Sequence, residues 1–289
     1  MKSLIVQNMK LFKFTILSCC VALLSLSAMA QKNPEDKAGW KLGAQSYTFR
    51  LFTFAEALQK IDSCGLKYVE AYPGQTIGGG IEGKMDFKMD AAKRKQVKDL
   101  LKKHGITITA YGVVKGKDEA EWKQLFEFAK DMGVLNIDTE PDPNQFAYII
   151  PMAEKYKVNL ALHNHPKPSR YWHPDSVLKY AAGSKFVGSC SDIGHWVRSG
   201  LDPVECLKQL EGHVLGMHFK DVVKDTPDGK YHDVVWGNGD SKVNEVMAEM
   251  KRQKFKGPIS VEYEYHWENN GPEVAKSVQY FRETYVKLK

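Results

Sequence analysis

Eight short β-rich runs alternate with longer amphipathic runs along nearly the whole chain, and this alternation constrains the fold more than any other feature. The β-rich runs are 41–49, 66–72, 106–114, 134–140, 158–165, 186–192, 214–220 and 258–265. Helical periodicity fills the gaps, for example at 54–63, 91–104, 119–132, 146–156, 243–253 and 273–287. Gly105, Gly133 and Gly257 follow helical runs, where a left-handed C-terminal cap is wanted. Eight β-α units in about 250 residues predict a parallel sheet closed into a (β/α)8 TIM barrel, a single α/β domain over residues 31–289. An open doubly wound sheet would carry a phosphate loop after its first strand. Gly78-Gly79-Gly80-Ile81-Glu82-Gly83 matches G-x-G-x-x-G, but it follows the second strand and no helix opens until about Asp90. It reads as a flexible loop at the barrel mouth.

Residues 1–30 have the three parts of a cleaved secretory signal peptide. Lys10 and Lys13 form the basic start, 14–24 the apolar stretch, and Ala28-Met29-Ala30 the small-x-small cleavage site before Gln31. The expected location is periplasmic or secreted, with no stable membrane insertion after cleavage. Lys2, Lys10 and Lys13 supply half of the formal net charge of +6, so the remaining excess is too small for a nucleic-acid partner. With 43% apolar and 26% charged residues the chain is neither disordered nor fibrous. Outside the leader only Cys64, Cys190 and Cys206 remain, an odd and widely spaced set that reads as buried small apolar residues rather than a disulfide framework. No G-x-S-x-G nucleophile elbow and no C-x-x-C pair occurs.

In such a barrel the chemistry belongs to the C-terminal ends of the strands. Period-2 alternation turns Met217 and Phe219 toward the helices, and so His218 and Lys220 inward. The same argument turns Glu262 inward between Val261 and Tyr263, and Glu140 away from the side taken by Ile137 and Thr139. Glu140, Asp192, His218 and Glu262 therefore converge from four strands on one rim. Three carboxylates there need a cation, and three oxygens with one imidazole suit Mn²⁺, Mg²⁺ or Co²⁺, with Zn²⁺ also compatible. His163 and His165 share a face at the same rim, and His165 reads as a donor to substrate hydroxyls. His195, three after Asp192, can curl back over the metal site. Glu70 and Tyr72 end the second strand and are expected to line the pocket. Trp236 lies in the loop 225–240, which is placed to close over the mouth.

These residues resemble the xylose isomerase-like TIM barrel superfamily, in the branch called sugar phosphate isomerase/epimerase. The resemblance covers residues 40–289 and rests on Ile137-Asp138-Thr139-Glu140-Pro141, Leu162-His163-Asn164-His165, Asp192-Ile193-Gly194-His195-Trp196, His218-Phe219-Lys220-Asp221, Trp236-Gly237-Asn238-Gly239-Asp240 and Ser260-Val261-Glu262-Tyr263-Glu264. It implies a divalent metal on Glu140, Asp192, His218 and Glu262, with the two glutamates as catalytic acid and base. His195 and Glu140 would also touch substrate oxygens. Two positions depart from the ketose-epimerase pattern: Lys224 where an Arg is usual and Phe146 where a second Glu is usual. The expected activity is isomerisation or epimerisation by proton abstraction beside the carbonyl of a small carbohydrate. The competing readings are a β-eliminating lyase or dehydratase on a keto-glycoside or inosose-like substrate, and a non-catalytic sugar-binding protein. The shared fold also admits a DNA-repair endonuclease, which the charge and the leader oppose. A homo-oligomer is compatible with the sequence.

Overall fold

The computed structural model describes residues 33–288, so the segment 1–30 expected to be a signal peptide lies outside the described residues. The strands are β1 (Trp40–Gln45), β2 (Tyr68–Ala71), β3 (Thr76–Gly78), β4 (Ile81–Lys84), β5 (Thr107–Gly112), β6 (Asn136–Thr139), β7 (Asn159–His163), β8 (Val187–Asp192), β9 (Val214–Phe219), β10 (Asp221–Val223), β11 (His232–Val234) and β12 (Gly257–Val261). The helices are α1 (Phe54–Ser63), α2 (Ala91–His104), α3 (Glu119–Met132), α4 (Phe146–Tyr156), α5 (Pro174–Ala181), α6 (Ile193–Arg198), α7 (Pro203–Gln209), α8 (Val243–Arg252) and α9 (Gly271–Lys287). β1, β12, β9, β8, β7, β6, β5 and β2 close in that order into a barrel. Every neighbouring pair is parallel. All eight strands expected from the apolar runs are present, and the fold is a (β/α)8 barrel. No helix among the described residues is long and apolar enough to cross a membrane.

Local signals set the helix boundaries. Thr53 and Glu56 form a reciprocal capping box on α1. The carboxylates of Asp90 and Asp118 cap α2 and α3, which end on Gly105 and Gly133 at φ +62° and +77°. Gly257 does something else. It opens β12, and a Cβ there would stand 2.7 Å from the Leu215 carbonyl oxygen, so it permits close strand packing. The glycine-rich stretch is not an irregular loop either. It is the antiparallel hairpin β3–β4, turned by Gly78, Gly79 and Gly80 at φ +71°, +61° and +84°.

The outward strand faces are apolar and the inward faces are not. Outside, Trp40, Phe219, Trp236 and Phe281 pack β1, β9 and α9 together, with ring centroids 5.3–5.9 Å apart. Trp40 Nε1 donates to the Phe255 carbonyl at 3.0 Å, so its one polar atom is paired. Inside, Gln45, Glu70, Asp138, His163, Asp192, His218 and Ser260 are buried together near the C-terminal strand ends. One level lower, Asn136 Nδ2 crosses to the Leu215 carbonyl at 2.9 Å, through space that a Cβ on Gly216 would fill. Cys64, Cys190 and Cys206 are free and buried, as expected of small apolar residues.

Candidate active site

β8 delivers Asp192 with one carboxylate oxygen engaged and the other free. Asp192 ends the strand and caps α6, so Oδ1 accepts from the His195 amide at 2.7 Å. Asn164 fixes the backbone here: its Oδ1 accepts from Asp192 N at 2.8 Å and its Nδ2 donates to the Asp192 carbonyl at 2.9 Å. Oδ2 is left buried without a hydrogen-bond partner, and so is Nε2 of His163, 3.8 Å away. His218 meets a carboxylate on each side, with Nδ1 at 2.9 Å from Glu262 Oε2 and Nε2 at 2.8 Å from Glu70 Oε2. A neutral imidazole carries one N–H and can satisfy only one of them, so a proton or a cation must stand at the other.

His163, Asp192, His218 and Glu262 each bring one ligand atom into a group within 4.8 Å of one another. Two unpartnered ligand atoms, Asp192 Oδ2 and His163 Nε2, and a facing lone pair–carboxylate contact fit a divalent cation. Burial pushes the Asp192 and Glu262 carboxyls up. That effect is overcome by Lys220 and His163 at Asp192, and by Lys220 and His218 at Glu262, and both stay well below the usual carboxylate range. Lys220 is fully buried, with Nζ at 3.1 Å from Glu262 Oε2, 3.4 Å from Asp192 Oδ2 and paired with Glu264. These three carboxylates hold its ammonium charged against the cost of burial. One ammonium among three carboxylates leaves negative charge that a divalent ion would balance.

Glu140 stands outside this quartet. It follows the last residue of β6, and its carboxylate accepts from His165 Nδ1, faces His163 Nδ1 at 3.4 Å and accepts from the Ser169 hydroxyl at 3.1 Å. Burial raises its carboxyl, but these imidazole contacts outweigh burial and hold it ionised. His163, which was not expected as a ligand, joins the quartet from inside β7, and it also forms a second group of close ligand atoms with Glu140 and His165. The signal was the H-x-H pair on one face.

A cavity of about 350 Å³ opens over the quartet, lined on this side by His165, His195, Glu262 and Glu264. Tyr72 lines its other side, as expected, with Gln45 and Tyr47, which alternation did not single out. His195 is nearly buried, and burial together with Lys220 and His163 keeps it neutral despite Asp192. Three expected pocket residues lie elsewhere. Glu70 is buried beneath the quartet, where Oε2 accepts from His218 and from Ser260 Oγ (2.7 Å) and Oε1 accepts from Gln45 Nε2 (2.8 Å). Burial and Asp138 push its carboxyl up to about 8. Lys220 is consumed by its carboxylates. Trp236 is core, 5.3 Å from Phe219, because Asp221 anchors its loop through the amides of Gly237 (2.8 Å), Gly239 (3.0 Å) and Ser241 (3.0 Å).

Residues 144–284 match the sequence model of the family described as xylose isomerase-like TIM barrel. A solved protein of Parabacteroides distasonis, described as putative uncharacterized, is 33% identical, with a TM-score of 0.70 over 85% of this chain and 99% of that one. The chain belongs to the xylose isomerase-like TIM barrel family. A D-allulose 3-epimerase from Methylomonas sp. is similar in fold at 12% identity (TM-score 0.66; 85% of this chain, 98% of that one). So is a probable 3-DHS dehydratase from Bacillus anthracis at 17% identity (TM-score 0.63; 82% and 96%). No curated protein matches the chain.

Proposed function

We propose that the protein is a divalent-metal-dependent carbohydrate isomerase or epimerase that removes a proton beside a sugar carbonyl. The observation that carries this reading is the buried quartet His163, Asp192, His218 and Glu262 beside the Glu140–His165 pair, both at the cavity. A divalent cation on the quartet would polarise the substrate carbonyl and ease loss of the neighbouring proton. Glu262, kept ionised by Lys220 and His218, is the base. Glu140 accepts the Nδ1 proton of His165 and so orients the imidazole, whose other nitrogen exchanges a proton with the substrate. His195, neutral and at the cavity, hydrogen-bonds a substrate oxygen.

β-Elimination from a keto-glycoside is the second reading, and the Glu140–His165 pair at the cavity favours it. Epimerisation needs a second group able to give a proton back, whereas elimination can run on His165 alone. The imidazole takes the proton beside the carbonyl, the C–H electrons form the C=C bond, the bond to the β-oxygen breaks, and the same proton goes to the departing oxygen. Phe146 supports a substrate other than a free ketose: it is buried and stacked on Tyr180 at 3.9 Å, with no carboxylate to hold a sugar there. The signal peptide adds that the mature chain begins at Gln31 and works outside the cytoplasm, on free or glycosidic rather than phosphorylated sugars. N-terminal sequencing of exported protein tests that.

The decisive experiment is NMR in D₂O with free ketoses and keto-glycosides after loading with Mn²⁺, Co²⁺, Mg²⁺ or Zn²⁺. Deuterium entering recovered sugar reports isomerisation, and a released aglycone reports elimination. His163→Ala should lose bound metal. Glu140→Gln should keep it and slow turnover by about 10²-fold or more. Metal loss in Glu140→Gln with none in His163→Ala would reverse the ligand assignment. Sugar binding without turnover under every metal would leave a binding protein.

A further inference from the structure

The half of the mouth facing the acid–base residues carries Tyr47 and Tyr72, with Trp267 packed on Tyr47, and the proton-transfer reading gives these rings no role. β1, β2 and β12 are neighbours in the barrel, and each sends an aromatic residue up from its C-terminal end: Tyr47, Tyr72 and Trp267. Tyr47 meets Tyr72 edge-to-face at 5.1 Å and 86°, and Trp267 at 5.7 Å and 84°. Arg50 covers the far end, with its guanidinium 4.1 Å over the Trp267 ring and an N–H donated to the Tyr47 hydroxyl at 2.8 Å. β7, which leads into His165, lies directly across the barrel from β1 in the ring of eight strands. Leu51 and Tyr265, 55% and 38% exposed, project from the same two loops that carry Tyr47 and Trp267.

The hydroxyls of the reacting sugar are served by the histidine and glutamate side of the cavity. The aromatic wall stands across the barrel from that side, where it offers a face to a second ring joined to the sugar. We propose that this wall is a subsite for the ring-shaped aglycone of a glycoside, stacked on Tyr47, Tyr72 and Trp267. The substrate class is then a keto-glycoside whose carbonyl-bearing sugar lies under the histidines. This rests on the site's reading as a sugar-converting centre and deepens it.

The test compares binding of 4-nitrophenyl β-D-glucopyranoside and methyl β-D-glucopyranoside to the mature protein by calorimetry, with no turnover needed. The aryl glycoside should bind about five- to tenfold more tightly. Tyr47→Ala and Trp267→Ala should each abolish most of that preference, and Tyr47→Phe should keep it. Both wall positions are only half-buried, and circular dichroism checks that the variants fold. Equal affinity for the two glycosides in the unmodified protein overturns the subsite, as does a preference that survives both alanine variants. Equal affinity together with a dimer that dissociates in Trp267→Ala assigns the wall to a second copy, which also overturns it. Failure of the subsite leaves deuterium exchange into free ketoses unaffected. Absence of exchange beside a retained aryl preference rejects the catalytic reading alone.

Discussion

His218 and the carboxylates on its two sides concentrate the site's electrostatics in one ring. Glu70 accepts from Nε2, which leaves Nδ1 as the nitrogen aimed at the quartet. Glu70→Leu removes that acceptor and strands a buried N–H. It should weaken metal retention by about 10- to 100-fold, read by competition with a chelator, while Glu70→Gln loses less because its amide oxygen still accepts. Equal retention in Glu70→Leu would mean that His218 does not depend on this partner. The cysteines make a simpler case. Burial pushes the Cys206 thiol up to about 12, and those of Cys64 and Cys190 are raised for the same reason. At pH 8 the thiolate of Cys206 is therefore about one part in 10⁴. Folded protein should resist iodoacetamide at all three positions, and mass spectrometry showing rapid labelling would contradict their burial.

Which way a residue faces was readable from alternation, and His218, Glu262 and Asp192 sit where it put them. Depth was not readable. Glu140 and His163 both project inward at the rim, yet β6 stops before Glu140 while β7 still includes His163. One step along a strand moves a side chain by about 3.3 Å, enough to move it from one group of close ligand atoms to the next. Strand ends depend on where the ladder with neighbouring strands stops, which no single run of residues contains.

At the scale of elements, α9 is joined to the barrel through Phe281, which is fully buried against Trp40, Phe219 and Trp236. Phe281→Ala should cost about 3–5 kcal/mol, measured by urea unfolding, because three rigid aromatic neighbours cannot collapse into the space. A loss under about 1 kcal/mol would show that α9 repacks. Helix positions followed from periodicity and caps because both signals are local, as the Asp118 cap and the Gly133 stop on α3 illustrate. The loops did not. The stretch from Thr76 to Lys84 has glycines that permit many shapes, and pairing between β3 and β4 selects a hairpin. The loop of Trp236 has a composition that suits a mobile lid, but three hydrogen bonds from backbone amides to the Asp221 carboxylate and the apolar surface of Phe219 draw the indole into the core.

For the whole molecule, the quartet ties together β7, β8, β9 and the residue after β12, so an ion held there links four of the eight strands. A ligand that binds only the folded chain adds about 2.7 kcal/mol at a hundredfold excess over its Kd, which for a protein of this size raises Tm by several degrees. Adding Mn²⁺, Co²⁺ or Zn²⁺ should produce that rise and a chelator should reverse it. An unchanged Tm with every ion, and no ion found by elemental analysis, would remove the metal from the site.

The sequence by itself determined the barrel, because alternation of period 2 with period 3.6, repeated eight times, can bury its apolar faces in few other ways. It also determined the chemical character of the rim, since charged and imidazole side chains on inward strand faces have nowhere to go but the mouth. Tertiary structure alone decided which of them form one site. The inward residues from eight strands meet at heights set by strand stagger, and at those heights His163 joined the quartet and grouped with Glu140 as well, Glu70 sank beneath the quartet and a lysine entered among its carboxylates. Contacts between residues more than 100 positions apart, such as His218 with Glu70, are made by closing the barrel and leave no local pattern to read.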